Sequence, residues 1–317
     1  MKAVFAHRFL ASECSVLYAK AMPSPLSLPS FAKINWQLRI LGKRDDGFHE
    51  LCTVFQTISL HDTIHFTASD VLNLRCDDPG IPTDESNLII KAALALRERF
   101  VIAKGATIDL EKRIPSPGGL GGGSSNAATS LIGLARLWEL DVAETDRIAL
   151  AGEMGSDVPF FLCGGTALGT GRGQVIEPLD DIRRQNMLVV TPDVHVATRE
   201  AFERIEAPTL TNAARERILR VCRDGARSKD LPHWELTNDF ETSVFDAHRE
   251  IRRVKETLLD LGAINAAMSG SGASVFAIFD KTETRQAAMK ALDNESTWRK
   301  FAVATVSRSE YREMMHL

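Results

Sequence analysis

The chain has 317 residues, 44% hydrophobic and 25% charged, with a formal net charge of −4 at pH 7. That length supports one large domain or two modest ones with ordinary globular cores. The acidic balance gives no electrostatic case for nucleic acid, whose phosphates attract basic faces. Five scattered cysteines (Cys14, Cys52, Cys76, Cys163, Cys222) form no C-x-x-C, the pattern of reduced thiols in a cytoplasmic protein. No apolar run approaches the roughly 20 residues of a membrane span, so no membrane partner is expected.

Residues 1–28 read as a poorly ordered extension. His7, Arg8, Ser12 and Glu13 interrupt the apolar run that a secretory signal requires, and Met22 is an alternative start. From Phe31, "AKINWQLRIL" alternates as a strand with Ile34, Trp36, Leu38 and Ile40 on one face, and "GKRDDGFHEL" is a turn-rich break. "TVFQTISL", "DTIHFTA" and "VLNLRC" predict three short strands, and "SNLIIKAALALRERF" a helix capped by Ser86. "GATIDLEKRI" is a strand running into "PSPGGLGGGSSNAA". The bland reading of that stretch is a flexible linker. However, Ala127, Leu131, Leu134, Ala135 and Trp138 follow at helical spacing, so the glycines open an amphipathic helix.

Further on, "TDRIALAGEMG" predicts a helix ending at Gly155, and "SDVPFFLCGGTALGTGRGQVIEPL" a short turn or helix followed by glycine-punctuated strands. "NMLVVTPDV" predicts a buried strand. Helices are expected over 199–206 and 211–228 and along "ETSVFDAHREIRRVKETLLDLG". "AAMSGSGASVFAIFD" is a turn and strand, "TETRQAAMKALD" a helix, and "KFAVATVSRS" a last strand. Strands and helices mix without strict alternation, which predicts an α+β class in layers, with a boundary near residues 180–187.

A glycine-rich turn feeding a helix start aims backbone N–H groups at an anion. It is not a P-loop, because no lysine occurs in residues 114–128. It is not the dinucleotide fingerprint either: counting from Gly119 puts Ser124 where the last glycine belongs. Gly121, Gly122 and Gly123 let the backbone approach a triphosphate, with positive φ expected at Gly122. Ser124 and Ser125 add hydroxyls where the helix dipole favours negative charge. Two further stretches stand out. Lys33 sits in an otherwise apolar strand, ordinarily the mark of a snorkelling edge lysine. Asp157 sits beside a proline turn, ordinarily a helix cap. "SGSGAS" (Ser269–Ser274) repeats the small-residue theme far downstream.

In this order, "FAKIN", Pro115–Ser125 and "SGSGAS" resemble the three motifs of the GHMP kinases, over nearly the whole chain from about residue 29. "GFHEL", "SNLIIKAA", "GSDVPFF" and "TNDFE" are similar to one branch, which phosphorylates the 2-hydroxyl of a cytidine-diphosphate-bearing alcohol in the non-mevalonate isoprenoid pathway. Phe31 stands where that branch usually has proline, and Phe48 where it usually has tyrosine. The resemblance implies an α+β, two-domain GHMP kinase fold: a ribosomal-protein-S5-like nucleotide domain over 29–183 and a ferredoxin-like α/β layer domain over 184–317.

The resemblance also implies roles. Asp157 is the base and Lys33 its partner, a pairing in which the ammonium also stabilises charge on the migrating phosphoryl group. Pro115, Ser116, Pro117, Gly118, Gly119, Leu120, Gly121, Gly122, Gly123, Ser124 and Ser125 hold the ATP phosphates. Asn87 and Lys112 fall near the adenosine end, with a solvated position the competing reading of Lys112. Phe48 and Phe202 stack the acceptor's cytosine, His49 reads its edge, and Asn35 and Thr198 add polar contacts; core packing is the competing reading of Phe202. The loop carries no acidic residue, so Mg²⁺ is expected to arrive with ATP and without a dedicated protein site. His61 and His65, four apart on a strand, do not make a helical metal pair. The implied partner is a small molecule, and the implied state a monomer or weak homodimer. The alternatives are another small-molecule kinase of the family, an ATP-dependent decarboxylase of the superfamily, and a silent nucleotide-binding scaffold. The presence of both Lys33 and Asp157 speaks against the last.

Overall fold

A computed structural model describes residues 24–205 and 236–317, with Glu216, Leu219 and Arg220 between them. Residues 1–23 of the expected extension, most of the helix expected over 211–228, and Cys14 and Cys222 lie outside the described residues.

Among the described residues, a seven-stranded sheet contains β1 (Leu26–Lys43), β2 (His49–Ser69), β3 (Leu72–Cys76), β4 (Gly105–Glu111), β5 (Thr166–Gly171), β6 (Val175–Pro178) and β8 (Thr237–Asn238). Its order is β3-β4-β2-β1-β8, with β5 paired to β2 and β6. β2 is one continuous strand of 21 residues, not the two expected. The register with β1 jumps from Phe31↔His61 to Ala32↔Ile58, so a bulge absorbs the residues where the two expected strands were divided. β2 pairs β5 through Leu51–Gln56 and β4 through Thr63–Ser69.

A second sheet, β11-β7-β10-β9, is antiparallel throughout: β7 (Asn186–Pro192), β9 (Asn265–Met268), β10 (Val275–Phe279) and β11 (Trp298–Ala304). The period of two along these strands sets the layering. Met187, Val189, Phe276 and Ile278 pack with Ile34, Trp36, Val54 and Ile58 of the first sheet, and Trp36 meets Phe276 edge-on at 5.6 Å. Leu188, Val190, Val275, Ala277 and Phe279 face the other way, toward α6 (Glu241–Ala247), α7 (Arg249–Asp260) and α8 (Thr282–Ala291). On the outer face of the first sheet lie α1 (Leu88–Arg99), α2 (Gly122–Leu137) and α3 (Glu144–Met154). The order is therefore helices, sheet, sheet, helices. Both sheets are covered on both faces, which is why β1 is apolar on both sides and not only on the one expected.

Local departures have local causes. Asn87, not Ser86, caps α1: its Oδ1 accepts from the Ile89 N–H at 2.9 Å, while Ser86 turns to Asp84. The helix expected along 241–262 breaks at His248, whose φ of −133° and ψ of 78° are not helical. Residues 184–317, expected as one C-terminal unit, send two pieces back to the first sheet. β8 pairs with β1, and α9 (Arg308–Met314) places Tyr311 and Met315 in the core beneath α2. Phe31, the replacement for proline, is buried there, with its ring 5.4 Å from that of Tyr311.

Candidate active site

The glycine stretch follows β4 and enters α2 at Gly122, bonded to β1 on one side and to the turn between β9 and β10 on the other. Its carbonyls are held on both sides. Lys33 N–H donates to Leu120 O at 2.9 Å, Ser269 Oγ to Gly119 O at 2.9 Å, and Ser274 N–H to Gly118 O at 3.2 Å. The two small-residue motifs are thus clamped to each other. Positive φ falls on Gly119 (70°) and Gly121 (71°), not on Gly122 as expected. A Cβ on Gly119 would sit 2.0 Å from Ser269 O, so this position requires glycine twice over. A helix leaves the N–H groups of its first turn without intrahelical acceptors. Here those belong to Gly122, Gly123 and Ser124, residues that line a cavity of about 430 Å³.

Not every expected loop residue reaches the cavity. Pro115–Ser124 line it, whereas Ser125 is 1% exposed and its hydroxyl accepts from Ser30 Oγ at 2.8 Å. Lys112 is neither solvated nor at the cavity. Its ammonium lies beneath the loop, donating to Asp62 Oδ2 at 2.8 Å and Ile114 O at 2.6 Å. Asp62, fully buried, also accepts from the Arg113 and Ile114 N–H groups and from Asn126 Nδ2. This carboxylate ties β2, the segment after β4 and the second turn of α2 together, and so fixes where the loop stands. Asn87 spends both ends of its amide locally, on the α1 cap and on Pro82 O; its neighbour Leu88 lines the cavity.

Lys33 and Asp157 meet across the cavity floor. Lys33 Nζ is 3.4 Å from Asp157 Oδ2; the lysine side chain is 3% exposed and the aspartate 33%. Lys33 is therefore not a snorkelling edge residue. Its ammonium also donates to Asn35 Oδ1 at 2.7 Å, and that oxygen accepts from the Gly270 N–H at 3.0 Å. Asn35 Nδ2 donates to Thr53 Oγ1 at 2.7 Å, which passes the chain on to Gln37 O. This relay leaves the ammonium no slack: it is fixed from below, and Asp157 projects beside it at the start of the turn into α4 (Phe160–Cys163). A buried cation facing a half-open carboxylate can orient a hydroxyl and stabilise an incoming anion.

Next to this cavity lies a second, of about 790 Å³, lined by Lys43, Phe48, His49, Arg199, Phe202 and Glu203 among others. The two share Leu51, Ser156, Arg172, Thr198 and Phe202 as walls. Thr198 Oγ1 is 3.0 Å from Ser271 Oγ, linking α5 (Thr198–Glu203) to the downstream small-residue motif. The rings expected to sandwich a base are otherwise engaged in the free chain. His49 stacks on Phe202 at 5.2 Å, Phe202 meets Phe240 edge-on, and Phe48 carries the Arg172 guanidinium 4.6 Å from its ring centroid. Gly47, at φ 83°, shapes the turn that presents Phe48 and His49. Desolvation, aided by the charge of Lys43, holds the His49 imidazole below its ordinary pKa, so it stays neutral near pH 7.

Sequence reasoning missed Asp62, Thr53 and Arg172. Asp62 and Thr53 act through partners far away along the chain, which no local pattern displays. Arg172 carried a signal, since it stands between two glycines in a hairpin turn.

Two family models match the chain: GHMP kinases N terminal domain over residues 87–165, and GHMP kinases C terminal over residues 223–296. The 4-diphosphocytidyl-2-C-methyl-D-erythritol kinase of Chlorobium phaeobacteroides (strain BS1) is 43% identical over 263 residues, which cover 81% of this chain and 90% of that one. The enzyme of the same name from Thermoanaerobacter pseudethanolicus (strain ATCC 33223 / 39E) is 36% identical, covering 84% and 92%. A crystal structure of 4-(cytidine 5'-diphospho)-2C-methyl-D-erythritol kinase superposes with a TM-score of 0.71 at 31% identity, over 88% of this chain and 99% of that one.

Proposed function

The chain belongs to the GHMP kinase family, and from that premise we propose that it transfers the γ-phosphoryl group of ATP to the 2-hydroxyl of 4-diphosphocytidyl-2-C-methyl-D-erythritol. The observation that carries this reading is the pair of joined cavities. One has an anion-binding loop with a lysine–aspartate pair, the other aromatic rings with a neutral histidine.

The N–H groups of Gly122, Gly123 and Ser124 receive the ATP phosphates at the positive end of α2. Asp157 orients the acceptor hydroxyl and takes its proton, and Lys33 stabilises the charge that builds on the transferred group. The relay through Asn35 and Thr53 holds Lys33 for that purpose. In the neighbouring cavity the cytosine takes up an aromatic face. His49 leaves Phe202 to make room, exchanging one stack for another, and turns to the base edge. The donors around the loop are N–H and hydroxyl groups, which suit phosphate and not a bare cation, and Asp157 is the acidic residue of that cavity's lining. The described residues around the loop would therefore not hold Mg²⁺ on their own; arriving with ATP, it would supply charge neutralisation.

We also read the chain as two units, 29–183 and 184–317, working in the cytoplasm as a monomer or weak homodimer. The free thiols of Cys52, Cys76 and Cys163 support that compartment. No helix among the described residues is long and apolar enough to cross a membrane.

The test is incubation with ATP and, separately, 4-diphosphocytidyl-2-C-methyl-D-erythritol, homoserine and mevalonate, followed by phosphorus NMR and mass measurement. The first acceptor should gain one phosphomonoester while ADP accumulates. Preferential transfer to homoserine or mevalonate, or loss of carbon dioxide, would overturn the reading.

A further inference from the structure

Asp157 is followed by Val158, Pro159 and then α4, whose two rings reach under the reacting groups. Phe160 stacks on Phe55 at 4.8 Å, and the Lys33 ammonium lies 5.7 Å from the centre of that Phe55 ring. Phe161 fills the notch beside Gly121: a Cβ there would sit 2.8 Å from Phe161 Cζ and 3.0 Å from Lys33 Cγ. The Asp157 turn, the Lys33 stem and the glycine loop therefore share one support. A helix leaves the carbonyls of its last turn without intrahelical donors. In α4 the Phe161 carbonyl accepts from the Tyr311 hydroxyl of α9. Tyr311 is buried, and burial pushes its hydroxyl pKa up, so it stays a donor. Its ring lies so close to Gly164 (φ 67°) that no Cβ fits there, and a Cβ on Gly165 (φ 68°) would sit 2.7 Å from Arg308 N. The two glycines that end α4 are thus shaped to receive α9. Arg308 completes the seat, donating to Thr166 O and, at 3.1 Å, to Leu179 O.

We propose that Tyr311 is a positioning residue for the proton transfer: from behind α4 it holds the turn on which Asp157 keeps its separation from Lys33 and its reach to the acceptor hydroxyl. This rests on the reading of Asp157 as the base. Tyr311 lines neither cavity, so it acts through α4 and not on a substrate. The other parts of the site have their own anchors. Asn35 fixes the Lys33 ammonium, and Ser269 and Ser274 clamp the loop. The bonds of the Asp157 turn, Val158 N–H to Gly155 O at 3.2 Å and Phe161 N–H to Val158 O at 3.1 Å, are local. They set the shape of the turn, while its place comes from the two rings in front and from Tyr311 behind. A displacement of about 1 Å in a reacting group can cost on the order of 10²-fold in rate, which gives one remote hydroxyl a catalytic effect.

The experiment is Tyr311→Phe in the full chain, which keeps the ring in the core and removes the hydroxyl. With ATP and 4-diphosphocytidyl-2-C-methyl-D-erythritol, well below the melting temperature, kcat should fall about 10- to 100-fold while both KM values change less than about 2-fold. In an Asp157→Asn background the same substitution should cost less than about 2-fold, because the group it positions is gone. Amide exchange at Phe161 and Leu162 should quicken without any substrate. Met315→Ala, at another buried position in the same core, is the structural control: it should lower the melting temperature at least as much and leave kcat within about 2-fold. Unchanged kcat in Tyr311→Phe overturns the proposal, as does a fall matched by Met315→Ala or a full additional loss on Asp157→Asn. A raised KM for ATP at unchanged kcat would assign α9 to the loop and overturn it too. If the parent transfers no phosphoryl group to this acceptor, the reaction reading fails. The exchange data then judge Tyr311 alone: unchanged exchange overturns its hold on the turn, and quickened exchange upholds it.

Discussion

Gly119 and Gly123 lie four residues apart in one loop, yet alanine at each should have opposite effects on the fold. At Gly119 the backbone is left-handed (φ 70°), and a methyl group would stand 2.0 Å from Ser269 O and 2.9 Å from Gly272 O, both backbone atoms. The left-handed conformation costs a side chain about 1–2 kcal/mol. Relief of the overlap requires the loop to withdraw from the 269–274 turn, adding about 1–3 kcal/mol as overpacking does. Gly119→Ala should therefore lose about 2–5 kcal/mol of unfolding free energy. The hydrogen bonds from Ser269 and Ser274 that clamp the loop should be lost too, so ATP binding weakens in parallel. At Gly123 the backbone is helical, and the added methyl meets only Leu88 Cδ1, at an ordinary 3.8 Å. Alanine there should leave stability unchanged or raised by up to about 1 kcal/mol. ATP affinity should nonetheless fall, because the methyl stands on the phosphate face of the first turn. Urea denaturation gives the stabilities and a fluorescent nucleotide the affinities. Equal stability losses at both positions would refute the assignment of distinct roles. So would a Gly119→Ala variant as stable as the parent.

Two other outcomes follow from groups beside the loop and the aromatic cavity. Asp62→Asn leaves the Lys112 ammonium, 4% exposed, without its counter-charge and should cost about 3–5 kcal/mol by urea denaturation; a loss under about 1 kcal/mol would mean the pair does not anchor the loop. His49, its pKa lowered in the folded chain from 6.5 by burial and then by Lys43, binds protons more readily when unfolded. Its contribution is therefore nil above pH 6.5 and destabilising as pH falls from there toward its depressed value. His49→Gln should remove that acid-side loss in a melting-temperature profile, and identical profiles would show that the imidazole is not desolvated.

How much of this was legible depended on how far each interaction reaches along the chain. The glycine loop, the start of α2 and the Lys33 and Asp157 motifs are contiguous signals, and residues 115–124 do line one cavity with that pair. The single length of β2 was not legible. Its "SLHDT" segment divides two apolar runs, and only the fold shows that Asp62 is satisfied by Lys112, Arg113, Ile114 and Asn126. The fate of Ser125 likewise depends on Ser30, 95 residues earlier. Lys112 shows the same limit: burial beside a carboxylate cannot be told from solvation without the fold. The last helix, α9, carries a local mark in the capping box of Ser307 and Glu310, though it directly follows the strand that ends the chain's apolar pattern. In sequence, Arg172 is one arginine between glycines and resembles any hairpin turn. Only the meeting of two cavities there gives it meaning.

The proposed reaction requires Asp157 to act as the base beside Lys33. Asp157→Asn keeps the size of the side chain and removes its charge and basicity. At 33% exposure, and with its ammonium neighbour still tied to Asn35, the change should leave the fold intact. The measurement is kcat with ATP and 4-diphosphocytidyl-2-C-methyl-D-erythritol, taken with a melting curve and an ATP-binding titration on the same preparation. A fall of roughly 10²–10⁴-fold in kcat, with melting temperature and ATP affinity near those of the parent, is the predicted result. Turnover close to the parent's would contradict it and remove Asp157 from the chemistry.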